Sequence, residues 1–285
     1  MTKQQIPDIN FYSYRNENSN NNKLISIDTP LLNTLAEDFR DCFSECKSLS
    51  GIPAGLFDKN TQATNFYGCF SYCSSLSGIP TGLFDNNAKT TSFGECFIGC
   101  TLLSGIPAKL FDKNTEVTDF ISCFKECALL KSIPKGLFDN NTKVTKFNSC
   151  FYSCALLKSI PDGLFDKNMQ ATNFNSCFIG CASLESLPDG LFANNTLATN
   201  FYNCFADCTS LQSLPAGLFD KNTEATDFTN CFFGCTHLVL NENIFSANNS
   251  HDRFSGKKMV FTYCFYNVGS ALSCLRRHGS RPLEL

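Results

Sequence analysis

The chain has 285 residues, 43% of them apolar, and a formal net charge of −3. That length fits one large domain or two ordinary ones, with enough apolar side chains for a substantial core. The near-neutral balance gives no electrostatic case for nucleic acid or an anionic membrane surface, and no run of about 18 apolar residues exists to insert in a bilayer.

Residues 1–23 form a polar, Asn-rich segment without an apolar h-region, so no secretory signal is expected in the chain as it stands. Residues 24–39 read as a degenerate first repeat, with Phe39 in the place of Phe66. Cysteines then fall at 42/46, 69/73, 96/100, 123/127, 150/154, 177/181, 204/208 and 231/235, each pair 27 residues after the last. A fixed period of this size signals a solenoid, assigned here to 24–239. Residues 240–285 read as a C-terminal capping repeat and tail. Phe261, Cys264 and Phe265 repeat the phrase there after a polar insert, with Val268 in place of the second cysteine.

One unit reads as follows. Phe66, Cys69, Phe70 and Cys73 are spaced i, i+3, i+4, i+7, which predicts one face of a two-turn helix. Thr64 or Asn65 stands where an N-cap belongs. Leu76-x-x-Ile79 reads as a short strand ended by Pro80, with room for a second strand near Thr64. Asp85-x-Asn87 suits a solvated Asx-type turn. No unit can bury its phenylalanines and leucines alone; stacked units can. The expected fold is therefore an α/β solenoid, a right-handed leucine-rich-repeat-like coil. Each 27-residue rung has one short strand and one short helix, and the stack is about 40 Å long at ~4.8 Å per rung.

The 18 cysteines have three competing uses. A metal site normally adds a second cysteine pair or histidines, yet the only histidines are His237, His251 and His278. Disulfides between rungs are geometrically possible, but a uniform column offers each sulfur two equal neighbours. Buried free thiols serving as small apolar filler are the expectation, and Val268 fits it. No catalytic, cofactor-binding or metal-ligating residue is assigned, because nothing singles out one cysteine and no histidine precedes His237 as an activating base. The Asp column (58, 85, 112, 139, 166, 220) and Asn column (60 to 222) could form a calcium ladder or a solvated turn; the turn is expected.

The positions that change from copy to copy are the candidate partner-binding residues. Along the helix flanks these are Tyr67, Tyr72, Ile98, Ile121, Tyr152, Ile179, Tyr202 and Phe233; just after the Leu column they are Lys131, Lys158, Glu185 and Gln212. Aromatics in line make good contact residues, while packing against a neighbouring loop is the competing reading.

The phrase ATNFYGCFSYCSSLSGIP resembles the BspA-like leucine-rich repeats of bacterial and protist surface proteins, with Thr64-Asn65-Phe66 and Phe70-x-x-Cys73-x-x-Leu76 carrying the likeness over about 36–275. The resemblance implies a curved solenoid used for adhesion or protein binding at a cell surface. The expected function is a non-enzymatic recognition or adhesion module with a protein or glycan partner, no cofactor, no nucleic acid and no membrane insertion. The alternatives are a structural spacer or subunit of a bacterial or phage surface assembly, or a cytoplasmic protein-binding scaffold.

Overall fold

A computed structural model of the chain describes residues 24–27, 30–31, 34–240 and 260–269. The expected polar segment 1–23 and most of the expected cap and tail lie outside these residues.

Where the spacing predicts a helix, the backbone instead forms a run of turns, and no helix occurs among the described residues. From Phe66 the chain divides into two tetrads, Phe-Tyr-Gly-Cys and Phe-Ser-Tyr-Cys. In each, the cysteine amide donates back to the phenylalanine carbonyl, Cys69 to Phe66 at 3.1 Å and Cys73 to Phe70 at 3.3 Å. The third residue of each tetrad is left-handed, with φ of 61° at Gly68 and 57° at Tyr72. That conformation at the third of four residues makes a type II-like turn and cannot continue an α-helix. Ser149, Ser153, Asn203, Asp207 and Asn230 adopt it at the same positions in other rungs.

The physical reason for turns is a division of backbone hydrogen bonds. A helix closes every N–H on its own segment. Here half of them close turns and half reach the next rung: Phe66, Gly68, Phe70 and Tyr72 donate to Ser92, Gly94, Cys96 and Ile98 at 3.1, 2.8, 2.8 and 2.6 Å. All the backbone groups of the arc are thereby paired in a stack. Both conformations send Phe and Cys inward, so the spacing alone does not separate them.

The strand also sits elsewhere than expected. Parallel single-residue bridges run Asp38–Asn65–Ser92–Asp119–Lys146–Asn173–Asn200–Asp227–Val260. They occupy the site allowed for a second strand. In the Leu76-x-x-Ile79 column bridging is local, at Ser159–Ser186 and at Val239. The Thr column reinforces the bridged site: both the amide and the hydroxyl of Thr91 donate to Thr64 O, at 2.8 and 3.1 Å. The following residue caps a turn rather than a helix. Asn65, Asn173, Asn200 and Asp227 each accept the amide two residues on at 2.9 Å.

Inside the coil, phenylalanines form continuous ladders. The rings of the Phe70 column repeat at 5.3–5.7 Å and lie within 9° of parallel. The Phe57 column wedges tilted rings against the Phe66 column, as in Phe84–Phe93 at 4.6 Å and 55°. Such offset and tilted pairs each add about 0.5–1.5 kcal/mol to the burial of apolar area. Phe39 stacks on Phe66 at 5.3 Å, and Phe261 and Phe265 stack on Phe228 and Phe232 at 5.2 and 5.5 Å.

The Asn column departs from the solvated turn expected of it. Asn87, Asn114, Asn141, Asn168, Asn195 and Asn222 are fully buried. Each side-chain amide ties its rung to the one before: Asn114 Nδ2 donates to Phe84 O at 3.0 Å and to Asn87 O at 2.9 Å. The neighbouring Asp85 and Asp139 carboxylates remain exposed.

Candidate functional site

The cysteines come first, because they are the residues with the most chemistry. Every described cysteine is a buried free thiol. In the second column the S–H donates to a phenylalanine carbonyl of the preceding rung: Cys100 to Phe70 O and Cys154 to Phe124 O, both at 3.2 Å. Burial pushes the thiols of Cys96, Cys123, Cys150 and Cys204 well up, and that of Cys100 up to about 12. A thiol so placed is neither ionised at neutral pH nor reachable by a substrate. His237 bonds through Nδ1 to Thr209 O at 2.6 Å. Among the described residues no group of three His, Cys, Asp or Glu is placed to hold a metal ion.

The twelve candidate contact residues fall into columns. Tyr67, Ile121 and Tyr202 share one column but stand two and three rungs apart, all half-buried. Ile98, Tyr152, Ile179 and Phe233 share a second. Ile98 is 4% exposed and belongs to the core, a correction to its place among the contact residues. Tyr152 and Ile179 are adjacent and half-buried, and the Lys125 ammonium lies 4.7 Å from the Tyr152 ring centre. Phe233 stacks on Tyr266 at 5.4 Å. Tyr72 is 44% exposed, and its ring lies where a Cβ on Gly99 would be. Tyr67 covers Gly94 in the same way, so both tyrosines do packing work across rungs.

Lys131, Lys158, Glu185 and Gln212 are brought together fully. They are exposed, stand on consecutive rungs, and are linked by backbone bonds of 3.4, 3.2 and 3.2 Å. Beside them runs a feature the sequence reading missed: Leu102, Leu129 and Leu156, on three consecutive rungs and 46, 37 and 38% exposed. The same position holds Ser48, Ser75, Ser183 and Ser210 in other rungs. The signal was the doubled leucine of TLLSGIP and ALLKSIP. Only its second leucine is framework, as Leu103, Leu130 and Leu157 show by full burial.

Electrostatics at the other edge is local. Burial and the Glu95 carboxylate hold the Tyr67 phenol well above its usual range. Burial raises the Asp119 carboxyl, opposed by the Ser92 hydroxyl, the Ile121 amide and Lys146.

No family model matches the chain, and no curated protein matches it. Among solved structures it is similar to a leucine-rich cell surface protein of Faecalibacterium prausnitzii, at 17% identity over 78% of this chain and 79% of that one, with a TM-score of 0.29. It is also similar to the leucine-rich-repeat protein of T. pallidum, at 18% identity over 64% and 86%, TM-score 0.27. A third likeness is to the Drosophila Toll–Spatzle complex, at 16% identity, TM-score 0.36, covering 72% of this chain and only 34% of that one. The chain thus spans about a third of the length of that larger protein. At such TM-scores these likenesses carry no argument. The molecule's own geometry establishes a repeat solenoid with a buried leucine column.

Proposed function

We propose that the chain is a non-enzymatic recognition module that presents variable side chains to a protein or glycan partner. The observation that carries this reading is the separation of constancy from change. The buried Phe, Cys, Leu and Asn columns hardly vary from rung to rung, whereas the exposed column passes from Ser50, Ser77 and Ser104 to Lys131 and Lys158, then to Glu185 and Gln212. Change confined to surface positions of a rigid repeat is how repeat scaffolds acquire partners without losing the fold. The described cysteines are buried thiols, and this reading assigns catalysis to none of them. The surface-adhesin role and membership of the BspA-like repeats belong to the same proposal. They rest on the resemblance of the Thr64–Leu76 phrase.

The test is binding of the full chain to arrayed glycans and extracellular-matrix proteins, compared with a variant carrying Lys131→Ser, Lys158→Ser, Glu185→Ser and Tyr152→Ser. The proposal expects at least one ligand retained by the parent and lost by a variant that melts at the same temperature. Identical behaviour of the two across the arrays would leave the structural-spacer reading in its place.

A further inference from the structure

We propose that the strip Leu102–Leu129–Leu156, with Lys131 and Lys158 beside it, docks an acidic amphipathic helix laid along the solenoid axis. This rests on the recognition reading above and names its partner chemistry. Three leucines in line on a surface are a departure from the repeat's own habit, which is serine at that position. They are flanked by the half-buried Ala128 and Ala155, which leave the leucines standing proud. Leu129 shares its rung with Lys131, and Leu156 with Lys158. The next residue of the lysine column, Glu185, stands beside Ser183, so the positive pair and the leucines end together. Neither lysine makes an ion pair among the described residues, whose pairs are Arg40–Asp38, Lys125–Glu126 and Lys143–Glu116. Two stacked ammonium groups that make no ion pair among the described residues, next to an apolar strip, call for carboxylates next to apolar side chains.

Spacing selects the partner's conformation. The leucines repeat once per rung, and buried rings of the same three rungs, Phe97–Phe124 and Phe124–Phe151, repeat at 5.6 and 5.7 Å. A helix lying along this direction presents apolar residues at about 5.4 Å per turn, which stays in register over three leucines. An extended strand presents same-face residues every ~6.7 Å and falls out of register by the third. Anchors at i, i+3 or i+4, and i+7 are the pattern by which a helix occupies an apolar strip.

The experiment is panning of a displayed library of random 16-residue peptides on the immobilised full chain. The enriched peptides are then synthesised and titrated by fluorescence anisotropy against parent and variant chains. The variants are Leu129→Ser, which restores the residue other rungs carry, the pair Lys131→Glu with Lys158→Glu, and Met169→Thr as an exposed control on another arc. The expected peptides are Glu- or Asp-rich with leucine-type residues at i, i+3 or i+4, and i+7. Their affinity falls at least tenfold with Leu129→Ser and severalfold with the lysine reversals, weakens as salt rises, and is unchanged by Met169→Thr. Enriched peptides that are basic, that contain proline in the motif, or that bind the Leu129→Ser chain undiminished overturn the strip as a helix dock. If those peptides still depend on other variable columns, the recognition reading stands. If no peptide is enriched and the arrays above are also silent, that reading falls as well.

Discussion

Two arcs of each rung, residues 64–73 and 74–82 in the first full copy, are built to opposite specifications. In the first arc a backbone amide reaches a neighbouring rung at nearly every second residue. The Tyr72 position shows this bond in each copy from Glu45 to Gly234, at 2.6–2.9 Å. In the second arc the bonds between rungs are fewer, and they are sparsest in the N-terminal half; from Leu156 onward they include Leu156 to Ala128 at 3.2 Å, Ser183 to Ala155 at 3.0 Å and Ser210 to Ala182 at 3.1 Å. Ser77 reaches Ser50 at 3.4 Å and Lys158 reaches Lys131 at 3.4 Å, while the amides of Ser104 and Lys131 make no such bond. The first arc carries both cysteine columns and two phenylalanine columns, all buried. The second buries the Leu76 column and carries the leucine strip and the lysines on either side of it. Backbone bonding between rungs is therefore denser in the first arc, while the second holds the stack mainly through its buried Leu76 column and displays the residues on either side of it.

The largest effect expected from this comparison is alkaline unfolding through the cohesive arc. The folded thiols titrate well above the ordinary value of 9.0 because burial disfavours the thiolate. A raised folded value means that their contribution is fully present below about pH 9 and is lost as pH rises above it. Each thiol then costs up to ~1.4 kcal/mol per pH unit. Melting temperature followed by circular dichroism under reductant should hold between pH 7 and 8.5 and collapse by about pH 11. A flat profile would remove the cysteines from the core. Next in size, Phe151→Ala should cost about 3–5 kcal/mol, read by chemical denaturation, since it leaves a void in two aromatic ladders. Asn141→Ala should cost about 1–3 kcal/mol by the same measurement, because Phe111 O and Asn114 O lose their buried donor. Smallest is Leu129→Ser in the display arc, expected to move stability by less than about 0.5 kcal/mol. A loss comparable to that of Asn141→Ala would show that the second arc is structural too.

Much of this was legible in the sequence. The 27-residue period gave the solenoid. The identity of the inward columns followed from which positions repeat, and the Val268 substitution pointed to filler thiols. What misled was periodicity: Phe66, Cys69, Phe70 and Cys73 face one way in a helix and in paired tetrad turns alike. The distinguishing mark is the residue before each cysteine, often Gly, Asn or Asp, which are the types that accept a left-handed backbone. The Asn column was read as local because Asx bonds are usually local, whereas stacking supplied carbonyls 27 and 30 residues away. The contact columns were only partly legible. That Ile98 is buried and Leu102 exposed depends on the packing of neighbouring rungs, which no single copy encodes.

Amide hydrogen exchange resolved by residue tests the separation of the two arcs most directly. The account predicts that the amides of Gly68, Phe70 and Tyr72 and their equivalents exchange only with global unfolding. Those of Ser104, Leu129 and Lys131 should exchange orders of magnitude faster under the same conditions. Equal protection of the two arcs, or faster exchange in the first, would contradict it.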